Sequence, residues 1–125
     1  LNKFLIIIYL IVSVISCELA DSAPADSFQI RFANTGGFED TRFAIGEEAD
    51  NLACESSALA VDEVTGYSYV KAGTYSLFID QGAGWVPNWA NIPGSGIPES
   101  ECTFEAGKKY EYGTDGGAFM YVNEK

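Results

Sequence analysis

Two tryptophans four positions apart, Trp85 and Trp89, are the residues of this chain best suited to binding chemistry. Each indole offers a flat apolar face that can stack on a sugar ring, and Gln81, Asn88 and Asn91 supply amide groups that would hydrogen-bond the hydroxyls. All five lie in the segment 81–100, QGAGWVPNWANIPGSGIPES, whose three Pro and four Gly read as a long structureless loop. Loops of that length inside a compact domain are often functional. Two readings stay open: a stacking platform for carbohydrate, or a plug in which both rings fold back over the end of the domain.

The other reactive groups exclude more than they suggest. The chain has no His, so Ser-His, Cys-His and His-metal constellations are all absent. Carboxylates gather at Glu39-Asp40, Glu47-Glu48-Asp50 and Asp62-Glu63, where they form either a solvated acidic surface or a weak Ca²⁺ site without EF-hand spacing. A glycosidase needs two carboxylates at a defined separation, and these clusters do not specify one. The expectation is a protein without catalytic activity or a metal cofactor. A formal net charge of −11 argues against nucleic acid as a partner and against docking on anionic lipid through basic residues.

The start of the sequence carries an address. Lys3 precedes an apolar run, Phe4 to Ile15, broken only by Ser13. That is the pattern of a signal peptide, and the run falls short of the roughly 20 residues that span a bilayer. The run ends in Val14-Ile15-Ser16-Cys17, which resembles the lipobox of bacterial lipoproteins. The resemblance implies cleavage before Cys17 and a diacylglycerol on its sulfur, the one covalent group expected here. The chain then divides into a signal peptide (1–16), a lipidated Cys with a flexible tether (17–27) and a domain (28–125). The expected location is the bacterial cell envelope, at the outer membrane or cell surface. With Cys17 taken by lipid, Cys54 and Cys102 remain as an even pair in an oxidising compartment, so a disulfide closing about 49 residues is expected. Such a bridge would contribute on the order of 4 kcal/mol. Buried free thiols are the alternative.

The domain itself reads as strands. Phe28, Ile30 and Phe32 alternate with Gln29, Arg31 and Ala33, which predicts a half-buried strand over 27–34. Thr41 to Ile45 predicts a second, and 47–62 allows a helical turn or a strand around Cys54. The clearest predicted hairpin joins Gly66–Lys71 to Thr74–Asp80 at Ala72-Gly73, with Tyr75, Leu77 and Ile79 facing inward. The pattern Lys71-Ala72-Gly73-Thr74-Tyr75 is echoed by Glu105-Ala106-Gly107-Lys108-Lys109-Tyr110, and a last strand is expected over 118–123. The fold class that follows is all-β: a single small antiparallel β-sandwich of about seven strands.

The Ile30-Arg31-Phe32-Ala33-Asn34 strand and the two Ala-Gly turns followed by Tyr75 and Tyr110 resemble exported bacterial β-sandwich domains of the immunoglobulin-like and transthyretin-like groups. That resemblance implies the sandwich and transfers no functional residue. The function expected is a lipid-anchored, non-catalytic binding or adhesion module, recognising glycan through the Trp85 to Trp89 loop. The alternative is a structural or assembly lipoprotein that docks onto another envelope protein, with a hydrolase behind both. If Cys17 is the lipid anchor, Cys17→Ala moves the protein from the membrane to the soluble fraction and removes the lipid mass from its N-terminal peptide; retention of both would exclude the assignment.

Overall fold

A computed structural model describes residues 24–36, 38–115 and 120–125. The expected signal peptide, Cys17 and most of the expected tether lie outside the described residues. Ten strands follow in order: β1 (Ser27–Asn34), β2 (Arg42–Glu48), β3 (Asn51–Glu55), β4 (Glu63–Val64), β5 (Ser68–Lys71), β6 (Gly73–Asp80), β7 (Val86–Pro87), β8 (Glu101–Phe104), β9 (Lys109–Thr114) and β10 (Met120–Glu124). They form two open five-stranded sheets, and the all-β sandwich expected from the sequence is what the chain adopts. The first sheet runs β10-β9-β1-β4 with β5 also on β1; the second runs β3-β2-β6-β7 with β8 also on β6. Two of the extra strands, β4 and β7, are only two residues long. Among the described strands β1 and β9 depart from the antiparallel expectation by running parallel, with Ile30 opposite Tyr110 and Phe32 opposite Tyr112, and the isolated bridge of Asn91 to Tyr121 is parallel too.

The inward faces supply the core by alternation. Phe28, Ile30 and Phe32 from β1 meet Phe43 and Ile45 from β2, Leu77 and Ile79 from β6, and Tyr110, Tyr112 and Val122 from β9 and β10. At one end Phe28 stacks on Phe104 at 4.7 Å, and Tyr110 meets Phe104 edge-on at 4.9 Å. Further along, Tyr112 stands edge-on to Phe43 at 5.2 Å. Aromatic pairs in these geometries add about 0.5–1.5 kcal/mol each beyond the area they bury.

The predicted hairpin at Ala72-Gly73 does not form. β5 pairs with β1 in the first sheet, whereas β6 pairs with β2 and β8 in the second, so the chain crosses between sheets at this point. The echoed motif crosses too, from β8 in the second sheet to β9 in the first. In both copies the tyrosine hydroxyl ties back across the corner: Tyr75 donates to the Lys71 carbonyl at 2.7 Å, and Tyr110 accepts from the Glu105 N–H at 2.9 Å. Both corners also dock on the start of β1, where Ala72 N–H reaches the Asp26 carbonyl at 2.7 Å and Gly107 N–H reaches that of Ser27 at 2.8 Å. The periodicity of two was right for each arm. Local pattern cannot say whether consecutive strands share a sheet.

The stretch 47–62 resolves in favour of a strand around Cys54. β3 folds back on β2 through Ala49-Asp50, with bulges on either side of Gly46. A Cβ on Gly46 would sit 2.6 Å from the Asn51 carbonyl oxygen, so the bulge needs glycine there. The last strand begins at Met120, and the turn and residues before it at 116–119 lie outside the described residues.

The expected Cys54–Cys102 disulfide is not made: Cys102 is a free, buried thiol. Cys54 lies opposite Ile45, Ile45 opposite Leu77, and Cys102 opposite Tyr75 on the far side of β6. The two cysteines therefore sit three strand spacings apart, about 14 Å, where a disulfide tolerates no more than about 7 Å between Cα atoms. Both are core residues, and burial pushes the Cys102 thiol up to about 11. Cys102 should therefore resist alkylation in the native protein at pH 8 and react fully after unfolding without reductant, as read by peptide mass. A requirement for reductant would restore a bridge at this position.

Candidate functional site at the outer face of the second sheet

The chain leaves β6 at Asp80 and turns sharply. The Asp80 carboxylate accepts from the N–H groups of Gly82 at 2.8 Å and Gly84 at 3.1 Å. Both glycines hold positive φ, 114° and 92°, which side chains disfavour, so the sequence Asp-Gln-Gly-Ala-Gly suits this turn. The turn returns the chain alongside β6 as β7, with Val86 opposite Ile79 and Pro87 opposite Phe78.

From there the predicted loop is extended and anchored rather than structureless. Asn88 N–H bonds to the Leu77 carbonyl at 2.9 Å, Ala90 and Glu99 exchange two bonds of 2.9 Å, and Asn91 bonds through its backbone to Met120 and Val122 of β10 at 3.0 and 2.8 Å. Asn88 and Ala90 point inward, at 8% and 1% exposure. Alternation then sets Trp85, Pro87 and Trp89 on the opposite, outward side.

The two indoles have different fates. Trp89 stands in solvent at 62% exposure, so the plug reading fails for it. Trp85 is half-buried, with the Arg42 guanidinium over its ring at 4.6 Å. Arg42 is held in turn by Asp80 and Glu55, each at 3.4 Å. Such a stacked cation contributes about 0.5–2 kcal/mol, and the two carboxylates fix its plane and hence the ring beneath it. Register lays out the rest of this outer face: Glu55, Ala44, Phe78 and Pro87 form one row across four strands. Ala44 and Phe78 are buried at 0% and 5%, although alternation points them away from the sandwich core.

The expected polar groups are redistributed. Asn88 is structural: its amide donates to the Tyr112 hydroxyl at 2.7 Å, and that hydroxyl donates to the Phe78 carbonyl at 2.9 Å. Burial holds the phenol far above its usual range, so it stays protonated and can serve as both acceptor and donor. Gln81 is exposed in the turn beside Trp85, and Asn91 is exposed two positions beyond Trp89. The group that adjoins Trp85 is instead Arg42, with Asp80 and Glu55 bonded to it, and sequence reasoning missed all three. The signal was available for Arg42, since it shares the period of two with Ala44 on a strand whose Phe43 and Ile45 face inward.

Other concavities lie elsewhere. A cleft of ≈550 Å³ is lined by Glu99, Glu101, Glu105, Glu124 and Lys108, among others. Its one lysine is engaged by Glu105 at 2.6 Å and Glu124 at 2.9 Å. A smaller one of ≈210 Å³ has Phe32, Leu59 and Val64 among its lining residues. Among the described residues no group of three or more His, Cys, Asp or Glu is placed to hold a metal ion.

The Asn88 to Tyr112 bond gives the site a stability signature. Tyr112→Phe leaves a buried amide and a buried carbonyl short of a partner, so urea unfolding should show a loss of about 1–3 kcal/mol. Trp89→Ala, by contrast, should leave stability within about 0.5 kcal/mol. No family model, curated protein or solved structure matches the chain, which leaves the geometry of this face as what bears on its function.

Proposed function

We propose that this chain is a non-catalytic carbohydrate-binding module, lipid-anchored at Cys17 in the cell envelope, that takes its ligand on the outer face of the second sheet. The observation that carries the reading is Trp89. Its neighbours Asn88 and Ala90 are buried and hydrogen-bonded, so the ring is held out in water by an anchored backbone and not by a floppy loop. Leaving a side chain of that size exposed forgoes stabilisation of about 2–3 kcal/mol that burial would give. A pre-organised indole, with a second one four residues before it that stacks on Arg42 and so lies near the Asp80 and Glu55 carboxylates, matches what a sugar needs: a flat apolar face for its C–H groups and charged donors and acceptors for its hydroxyls.

Docking onto an envelope protein is the competing reading, favoured by the exposed apolar side chains of Val86 at 45% and Ile97 at 65%. The edge strand works against its commonest form. Asn88 N–H points to β6, so the N–H of position 87 would point outward, and Pro87 has none to offer an incoming strand. A glycan array probed with the wild-type protein and Trp89→Ala decides between them. The expected result is binding to a subset of sugars that the variant loses by at least tenfold, about 1.4 kcal/mol, with circular dichroism unchanged. A silent array, or binding indifferent to Trp89, would end the carbohydrate reading and favour docking.

A further inference from the structure

The spacing and charge of the outer face say which kind of carbohydrate it would take, an inference that rests on the carbohydrate reading above. Trp85 and Trp89 are on the same side of one extended segment, four residues apart, so their Cα atoms are separated by about 13 Å at roughly 3.3 Å per residue. Pro87 lies between them on the same side, opposite Phe78. Two indoles so placed cannot clamp the two faces of a single ring. They present successive platforms along a line.

Trp89 is 62% exposed and Pro87 between the rings is exposed as well. That exposure suits a ligand gripped at several points along its length. A pocket would suit a single terminal sugar. The charges beside the rings narrow the class further. Asp80 and Glu55 stand at the Trp85 end, and Glu101 is exposed on β8, in register with Ser76 of β6. Arg42 is the one basic residue among the described residues of this sheet's strands, and two of those carboxylates already engage it. A uronate or sulfate laid along this face would meet net negative charge within a Debye length of about 8–10 Å, and the one cation among the described residues of these strands is already engaged.

We infer that the ligand is a linear, uncharged polysaccharide whose chain runs along β7, with non-adjacent sugar units on Trp85 and Trp89. Binding then depends on length, because a ligand shorter than the span reaches only one indole.

The test is affinity electrophoresis of the full chain in detergent, in gels containing neutral polymers (xylan, mixed-linkage β-glucan, galactomannan, glycogen) or the polyanions alginate and pectate. Oligosaccharides of two to six units from each retarding polymer then serve as competitors. The expected result is retardation by a neutral polymer, loss of at least tenfold in affinity in each of Trp85→Ala and Trp89→Ala, and competition by the hexasaccharide at least tenfold better than by the disaccharide. Trp85→Phe keeps a ring at the half-buried site and should retain measurable retardation, which separates loss of stacking from loss of folding. Equal competition by disaccharide and hexasaccharide, or stronger retention by alginate or pectate, would overturn the inference while leaving carbohydrate binding in place. No retardation by any polymer, together with a silent glycan array, would remove both.

Discussion

The hydroxyl of Tyr112 is the polar contact on which the arrangement of the candidate site depends. Its ring is fully buried between the sheets, and a phenol placed there must find partners or lose stability of order a few kcal/mol. It finds them on two separate segments, the Phe78 carbonyl of β6 and the Asn88 amide just after β7. One atom from the first sheet thereby fixes the central strand of the second and the segment that carries both tryptophans. Because Asn88 is drawn inward, its neighbours at 87 and 89 are driven outward. The exposure of Trp89 is thus a consequence of a buried hydrogen bond on the other side of the same backbone.

The two Ala-Gly motifs show what sequence can and cannot convey about such a fold. Their similarity is real in three dimensions: both are corners between sheets, both are closed by a tyrosine hydroxyl, and both dock on the start of β1. The inward-facing residues of each arm were legible from alternation. The pairing partners were not, because a tight turn between two alternating strands looks the same whether the chain folds back within one sheet or steps across to the other. That decision belongs to distant residues, here to β1, which accepts β5 on one edge and β9 on the other. Cys54 and Cys102 do not pair with each other for a related reason. Parity and compartment describe the chemistry of cysteines, and only the strand order β3-β2-β6-β8 shows that these two are too far apart to bridge.

At the site, the residue types were legible and their division of labour was not. Trp89 is an exposed ring, yet Asn88 beside it is a structural donor, and the charged group against Trp85 is Arg42, held by Asp80 and Glu55 from other strands. A five-residue window cannot reveal a guanidinium that arrives from two strands away. Trp85 is half-buried, and its ring stacks on the Arg42 guanidinium that Asp80 and Glu55 hold.

On the opposite face of the sandwich the charged and aromatic groups already engage one another. Arg31, Lys71, Lys109 and Lys125 lie on the outer side of the first sheet, four of the seven basic residues of the chain. Three of them have local partners. Arg31 bonds to Glu111 at 2.7 Å, Tyr121 donates to the same carboxylate at 2.6 Å, and Lys125 approaches it at 3.9 Å. Burial alone would raise the Glu111 carboxyl, but the Tyr121 and Arg31 bonds outweigh it and hold the group below its usual value. Tyr67 lies under Arg31 at 4.9 Å and Lys109 at 5.1 Å. The aromatic and ionic groups of that face largely satisfy one another, so a ligand there would have to displace contacts already made. On the second sheet the ionic groups brace Trp85, and the Trp89 ring is left facing water, where a ligand adds contact without breaking any.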